Sequence, residues 1–404
     1  MKLVEQHIIS RHHSFWEECD KLCFLSKNLY NQALYRIRQY FFKTGKYLNY
    51  YELQQELQNE KQIDYTALPA KVSQWILKLL DKNFKSFFKS LKAYKQTPSK
   101  FLGRPKLPSY KDKIEGRNLL TYTIQAISKP FLRNEIIKLS KTTISFRTKQ
   151  KNIQQVRIIP RNNHYVIEVI YKKEEAEAVK DNGQYAAIDI GLNNLATVAF
   201  NFKEQPIIIN GKPLKSINQF YNKIKGKLQS IINQQGKKRT KRLKQLDFKR
   251  NNKVKNYLHN ASRLLVNHLV SLGVSKVIIG KNPNWKQEIN IGKVNNDNFV
   301  KIPHAIFIEQ LEYKLKLEGV EVIIREESYT SKCSFFDNEP IKKHNQYKGK
   351  RIKRSWFKTS TDKLVHADVN GALNIGKKQF SKAFTLEKIE GVVVHPMRWH
   401  ISYS

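Results

Sequence analysis

Residues 185–200, YAAIDIGLNNLATVAF, constrain this chain more than any other stretch. Residues 185–190 are short, apolar and end on a β-branched residue, which predicts a buried strand. Gly191 and the Asn193–Asn194 pair supply turn chemistry, and residues 195–200 run back as a second apolar strand. One acid, Asp189, sits inside the first strand. A carboxylate there is costly unless it is paired or bound to a cation. Taken alone, Asp189 leaves two readings open. It caps a turn or meets one of the many lysines, or it holds a cation for catalysis.

A second stretch far downstream bears on that choice. Residues 366–376 read HADVNGALNIG. Asp368 opens a helix-like run whose apolar side is Val369, Ala372, Leu373 and Ile375, with Asn370 and Asn374 one turn apart on another side. Asp368 has a plain reading as an N-cap. Gly371 and Ala372 are small enough for the helix to lie close to a neighbour. Two isolated aspartates, one on a core strand and one on a closely packed helix, suit a metal-dependent nuclease. Mg²⁺ prefers carboxylate oxygens and keeps several waters, so its protein ligands are few and acidic.

IDIGLNNLATV, followed by YTSKCS and ADVNGALNI, resembles the TnpB family, the insertion-sequence-encoded relatives of type V CRISPR effectors and of Fanzor proteins. Residues 68–92 and 101–111 are similar to family segments as well, so the resemblance covers most of the chain. It implies a RuvC-type, RNase H-like nuclease domain, an N-terminal wedge-like β-barrel carrying a helical recognition insertion, a guide RNA from the same element and a double-stranded DNA target. It also implies two Mg²⁺ ions.

Charge points to the same partners independently. Lys plus Arg number 74 against 34 Asp plus Glu, a net charge of +40. Such a chain repels itself without a polyanion, and nucleic acid supplies one through counterion release. An anionic membrane surface is the weaker alternative. No apolar run of about 18 residues is present to span a bilayer. The N-terminus lacks a signal pattern, so the expected location is cytoplasmic, on the nucleoid. Cys19, Cys23 and Cys333 do not make a disulfide framework, and Cys19 and Cys23 read as core residues one helical turn apart.

Taken in order, residues 1–9 alternate weakly like a strand. Residues 15–42 and 68–94 carry helical periodicity. In the latter, Val72, Ile76, Leu80, Phe84, Phe87, Leu91 and Tyr94 form one face, and Lys78, Lys82, Lys85 and Lys89 belong to the other. That basic face is either simply solvated or a rail for a phosphate backbone. Residues 97–109 form a proline-rich loop with Arg104 and Lys106. Short strands follow at 119–127, 136–146, 156–160 and 165–171, as in a small barrel. Strands at 185–190, 195–200 and 206–210 should form a meander. Two more at 276–280 and 320–325 alternate with helices, 258–272 and 299–317, and so pair in parallel. Residues 221–256 contain thirteen Lys plus Arg and one acid, Asp247, with Gly236 splitting two helices. Lys237, Lys238, Arg239, Lys241, Arg242, Lys249 and Arg250 are its candidate nucleic-acid contacts.

The expected organisation is therefore a barrel from 1–14 and 100–175 with a helical lobe at 15–99. A linker at 176–182 leads to the first part of the nuclease at 183–327, with a basic helical insertion at 215–257. A degenerate zinc-ribbon-like segment at 328–365, the last nuclease part at 366–380 and a tail at 381–404 complete it. No function is legible in the tail.

Two family features are displaced or missing. Family members commonly carry a catalytic Glu at the end of the fourth strand, where this chain has Gly280. Either the nuclease is dead or the carboxylate comes from elsewhere. Glu326 and Glu327 end the fifth strand, one strand spacing of about 4.8 Å away, and some TnpB and Fanzor sequences are similar in carrying a Glu just before YTSK. The resemblance thus implies a site of Asp189, Asp368 and Glu327, with Glu326 second. Glu288, Glu309 and Glu312 are weaker candidates, and a surface pair balancing Arg325 is the plain reading of the two glutamates. The family's two CxxC pairs are reduced to Cys333, with Phe336 at the second position, so no structural zinc is expected. The basic segment 342–358 then reads as a nucleic-acid contact loop. Three functions fit: an RNA-guided, Mg²⁺-dependent DNA endonuclease, a nuclease-inactive guided binder, and an unguided DNA-binding transposition accessory protein.

Overall fold

The computed structural model describes residues 1–236, 240–282, 302–389 and 395–402. Two compact units divide the chain, Met1–Lys173 and Glu174–Ser404.

The first unit begins with β1 (Lys2–Ile9), then α1 (Trp16–Thr44), α2 (Tyr50–Asn59), α3 (Ile63–Thr66) and α4 (Ala70–Gln96). It continues through β2 (Leu120–Thr123), α5 (Lys129–Arg133), β3 (Ile136–Lys138), β4 (Ser145–Arg147), β5 (Ile153–Arg161) and β6 (His164–Lys172). The helices thus interrupt a four-stranded antiparallel sheet of order β1-β6-β5-β2, and β3 and β4 form a separate hairpin. Asn49 starts α2 with a capping box, its side chain accepting the Glu52 N–H while Glu52 accepts the Asn49 N–H. The apolar face expected along α4 is buried from Val72 to Phe84 and then stops. Beyond it Phe88 packs edge-on against Tyr47, with ring centroids 5.4 Å apart, while Phe87, Leu91 and Tyr94 are half-buried.

The second unit is built on one sheet. Its elements are β7 (Tyr185–Ile190), β8 (Asn194–Phe200), β9 (Ile207–Asn210), α6 (Lys212–Gln234), α7 (Lys241–Ser271), β10 (Lys276–Gly280), α8 (His304–Leu317) and β11 (Glu321–Arg325). After these come β12 (Lys350–Lys353), β13 (Trp356–Lys358), β14 (Leu364–His366), α9 (Ala367–Gln379), α10 (Leu386–Ile389) and β15 (Met397–Trp399). The strand order is β11-β10-β7-β8-β9-β15. β7, β8 and β9 are antiparallel neighbours, whereas β10 and β11 add in parallel, as strands joined through crossover helices must. Pleating sends Ala186 and Ile188 to one face, against Leu258, Leu265 and Phe307 of α7 and α8. Ala187 faces the other side, with Ala199, Ile278 and the Val369, Ala372 and Ile375 side of α9. Asp189 shares the parity of Ala187 and so belongs to the α9 face.

Two sequence expectations change here. The helices expected at 221–256 and 258–272 are redrawn: α6 ends at Gln234, just before Gly236 with φ +63°, and α7 runs unbroken from Lys241 to Ser271. No glycine or proline interrupts α7, and the Thr240 hydroxyl caps it by accepting the Leu243 N–H. Asp368 is not an N-cap either. His366 takes that position, its Nδ1 accepting the Asp368 N–H at 3.3 Å, which leaves the Asp368 carboxylate free for other partners.

Candidate functional site

Asp189 lies on the central strand of the larger sheet, and the helix above it approaches closely. A Cβ on Gly371 of α9 would sit 3.0 Å from Asp189 Oδ2. Any larger residue at 371 would push the helix or the carboxylate away. Asp368 lies in the first turn of the same helix. Its Oδ2 accepts from Asn194 Nδ2 at 2.7 Å, and its Oδ1 accepts from Arg351 Nη2 at 3.0 Å. Asn194 opens β8 after the tight turn from Gly191, where a Cβ would meet the Asn194 carbonyl at 2.6 Å. The first residue of α8 holds that turn from outside, His304 Nε2 lying 3.1 Å from the Gly191 carbonyl.

Glu327 lies just past the end of β11, two strands away from β7, and acts on the Asp189 carboxyl. Gly280 pairs with Arg325 across β10 and β11, so Glu327 lies two residues past that register point. Asn282 fixes it twice: Asn282 Oδ1 accepts the Glu327 N–H at 3.1 Å, and Asn282 Nδ2 donates to Oε1 at 3.3 Å. Oε2 is buried with no hydrogen-bond partner. That oxygen occupies the space a side chain at 280 would take, since a Cβ on Gly280 would lie 2.6 Å from it. Glu326 points elsewhere. Its carboxylate pairs with Lys378 at 2.5 Å and accepts the Ser328 N–H at 2.8 Å.

Electrostatics separate the two glutamates further. Lys378, then Ser328, pull the Glu326 carboxyl down to about 2. Burial, then Glu326, pushes Glu327 up to about 7. Burial raises Asp189 well above the usual carboxylate range, with Asp368 and then Glu327 adding repulsion and Arg351 opposing it. The Asp189 carboxyl therefore senses both of the other acids. Among the described residues no three His, Cys, Asp or Glu side chains are drawn close enough to hold a metal as they stand. Asp368 is turned onto Asn194 and Arg351. The donor set nonetheless fits a hard divalent cation: carboxylate oxygens, one of them buried and unpartnered, and mutual repulsion that a cation would relieve. Glu309 and Glu312, on α8, are not among the groups acting on Asp189, and Glu288 lies outside the described residues.

The loop after Glu327 is anchored to α9 by the two asparagines. Asn370 Oδ1 accepts the Phe335 N–H at 2.9 Å and its Nδ2 donates to the Cys333 carbonyl at 2.9 Å. Asn374 Nδ2 donates to the carbonyls of Thr330 and Cys333. Asn370→Ala is expected to destabilise the protein by about 1–3 kcal/mol, since it strands the buried Phe335 N–H and removes one of two donors to the Cys333 carbonyl, a loss that urea unfolding of the two proteins would measure. Farther along, buried Glu339 accepts the N–H groups of Ser334 at 2.8 Å and Lys348 at 3.0 Å, and thereby closes the segment that presents β12.

A cavity of about 410 Å³ opens beside Asp189 and Asp368, and Lys212, Arg351, Arg354 and Arg398 line it. A carboxylate wall thus faces a cationic one. Asn194 and Gly191 of the turn line it too.

The family described as "Probable transposase" (OrfB_IS605) matches residues 168–286, and the family described as "Cas12f1-like, TNB domain" matches residues 304–375. The TnpB-like protein ORF457 of Acidianus two-tailed virus is 26% identical over 440 residues, covering 95% of this chain and 86% of the viral protein. These matches support a TnpB-family protein. A solved Cas12f1–sgRNA–target DNA complex aligns with 90% of this chain and 83% of its own, with a TM-score of 0.52 at 16% identity, which shows a shared fold. A CRISPR-Cas12f ternary complex aligns over 89% of this chain and 82% of its own at 14% identity, with a TM-score of 0.38, below the level that defines a shared fold.

The basic residues singled out in the sequence fall into distinct settings. Lys78 sits over the rings of Tyr50 (5.1 Å) and Trp75 (5.9 Å) and lines a cavity of about 280 Å³ with Lys71 and Gln74. Lys82 and Lys89 are exposed, whereas Lys85 pairs with Asp81 at 2.7 Å. Arg104 and Lys106 are exposed on their loop. Lys241, Arg242 and Lys249 are exposed along α7. Arg250 is different: it is half-buried, its Nε and Nη2 donate to Asn218 Oδ1 at 2.9 and 2.7 Å, and it ties α6 to α7. Lys237, Lys238 and Arg239 lie outside the described residues.

Sequence reasoning missed the residues that surround the carboxylates. Lys212 and Arg398 were invisible as site residues because no spacing links them to Asp189, whereas Arg351 and Arg354 lay in the basic segment 342–358 read as a nucleic-acid contact loop. Asn194 read as a turn residue and Asn282 carried no reading, and only their contacts reveal what they hold.

Proposed function

We propose that this TnpB-family protein is an RNA-guided, divalent-metal-dependent DNA endonuclease with a single RuvC-type site. What supports the reading is that Asp368 of α9 and Glu327 past the end of β11 both act on the buried Asp189 carboxyl of β7, with Gly371 admitting α9 close to Asp189 and Gly280 leaving room for the relocated glutamate. In this reading the β7–β11 sheet with its flanking helices is the RNase H-like nuclease. The sheet of β1, β6, β5 and β2 is the wedge, and α1 to α4 form the recognition lobe. Guide RNA comes from the protein's own element and pairs with the target strand, as in other guided systems. Exposed lysines of α4 and α7 contact the nucleic-acid backbones. The segment 328–365, with its single cysteine, holds its shape without zinc. The protein acts on DNA in the cytoplasm, associated with the nucleoid.

Asp189, Glu327 and Asp368 are the residues that would hold Mg²⁺. Bound there, two Mg²⁺ ions would supply a water of lowered pKa and charge compensation at the departing 3′ oxygen. Gly371 admits α9 close to Asp189. Asn282 aims Glu327, and Asn194 aims Asp368. Lys212 and Arg354 give the cavity a wall suited to a phosphodiester.

A guided binder without cleavage is the second reading, and one contact favours it. Arg351 already pairs with Asp368, where a cation would be needed. The test is cleavage of a guide-matched plasmid by the protein co-expressed with RNA from its own locus, in Mg²⁺ and in EDTA. The endonuclease reading expects linear product in Mg²⁺ alone. Guided binding without a cut would overturn it in favour of the binder, and purification free of RNA would favour unguided DNA binding.

A further inference from the structure

The C-terminal tail carried no legible function, yet the structure docks it at the acidic site. β15 adds in parallel to β9, with Met397, Arg398 and Trp399 opposite Ile207, Ile208 and Ile209. Flanking contacts hold it there. The Met397 N–H donates to the Pro206 carbonyl at 2.8 Å, and Gln205 Nε2 donates to the His395 carbonyl at 2.6 Å. Trp399 stacks edge-on against His268 of α7 at 5.0 Å, and Ile401 is buried in the core beneath. Because strand side chains alternate, Trp399 and Arg398 leave β15 on opposite faces. Trp399 takes the α7 face, which turns Arg398 to the cavity beside Asp189 and Asp368.

There Arg398 Nη1 donates to Asn194 Oδ1 at 3.1 Å, and Asn194 Nδ2 donates to Asp368 Oδ2 at 2.7 Å. The order of these bonds is forced by chemistry. A guanidinium only donates and an ionised carboxylate only accepts, so an amide between them has one satisfactory orientation. Without the arginine, the amide loses the partner that keeps its donor on Asp368. Residues 395–402 lie outside both stretches that match known families.

We propose that Arg398 is a positioning residue of the acidic site, acting through Asn194 on Asp368, so that the C-terminal strand is a working part of the centre. This rests on the endonuclease reading above. Outer residues that orient a metal ligand typically contribute 10–100-fold.

The test uses the full-length protein in two assays. In the guide-loaded form, Arg398→Ala should slow single-turnover cleavage by about tenfold or more with target binding unchanged, and Arg398→Lys, which retains a donor, should recover most of that loss. Added to Asn194→Ala, Arg398→Ala should cost nothing further, because the route to Asp368 is already cut. In the guide-free form, the probe is the rise in thermal unfolding midpoint on adding Mn²⁺. Removing a cation near the carboxylates would by charge alone strengthen Mn²⁺ binding. Lost positioning should weaken it, so Arg398→Ala should show a smaller Mn²⁺-induced rise than wild type. An equal or larger rise, together with wild-type cleavage, would overturn the proposal. If the wild-type protein responds to Mn²⁺ but does not cut, the endonuclease reading fails, and the inference about Arg398 is still decided by the Mn²⁺ comparison.

Discussion

Glu327→Gln is expected to slow target cleavage by about a thousandfold or more while guided binding stays within about twofold of wild type. The amide keeps the shape of the side chain and its contact with Asn282, so the change removes charge rather than structure. Glu326→Gln is the matched comparison. Its carboxylate is engaged by Lys378 and Ser328, and its loss should leave the rate close to wild type. Equal losses in the two variants, or none in Glu327→Gln, would remove Glu327 from the site. The same substitution makes a prediction about stability without metal. Burial raises the folded-state pKa of Glu327 from 4.5 to about 7. The folded protein therefore holds this proton more tightly than the unfolded chain does. Stability from this group is full below pH 4.5 and is lost as pH rises towards 7. Glu327→Gln removes the penalty, so in EDTA at pH 8 the variant should unfold at higher urea than wild type. Mg²⁺ should reverse that order by stabilising only the protein that keeps its carboxylate. Functional centres commonly carry such a cost in stability.

Gly280→Ala should lower cleavage by about a hundredfold with little change in stability or in target binding. The added Cβ would lie 2.6 Å from Glu327 Oε2 and 2.5 Å from Ile375 Cδ1. Both are ends of flexible side chains, so the fold yields at small cost, about 1 kcal/mol. The yielding atom on one side is the carboxylate itself, and moving it by about 1 Å is enough for the stated loss. Single-turnover rates and urea midpoints of the same preparations separate the two effects. A Gly280→Ala protein that cuts like wild type would show that Glu327 does not supply the third carboxylate. The exchange Gly280→Glu with Glu327→Ala moves the acid back one strand. It should cut faster than Glu327→Ala alone, because both positions serve the same space.

Much of the larger unit was legible in the sequence for a physical reason. β7, β8 and β10 are short, largely apolar runs bounded by turn residues, as central strands are. Asp189 stood out because an acid within one of them has no solvent to lie in. Helix boundaries were less legible. Burial of α4 ends at Phe84 although the periodicity continues to Tyr94, because periodicity reports a face and not whether a partner covers it. Asp368 read as a cap because capping geometry depends on one backbone turn, and here that turn is made by His366 one step before the helix.

By itself the sequence determined the strand–turn–strand around Asp189, the helix bearing Asp368, the polyanion partner implied by +40, and the pair of glutamates that the resemblance offers as candidates for a third acid. Those follow from local pattern and composition, which need no knowledge of what touches what. Only the tertiary structure separates the settings of Glu326 and Glu327. One is drawn to Lys378 of α9 and the other is buried against the gap left by Gly280, and both neighbours lie far away in the chain. The cationic wall and the tail strand that bears Arg398 were likewise decided by folding. Parallel pairing of β15 with β9 depends on contacts some 190 residues apart, which no local pattern encodes.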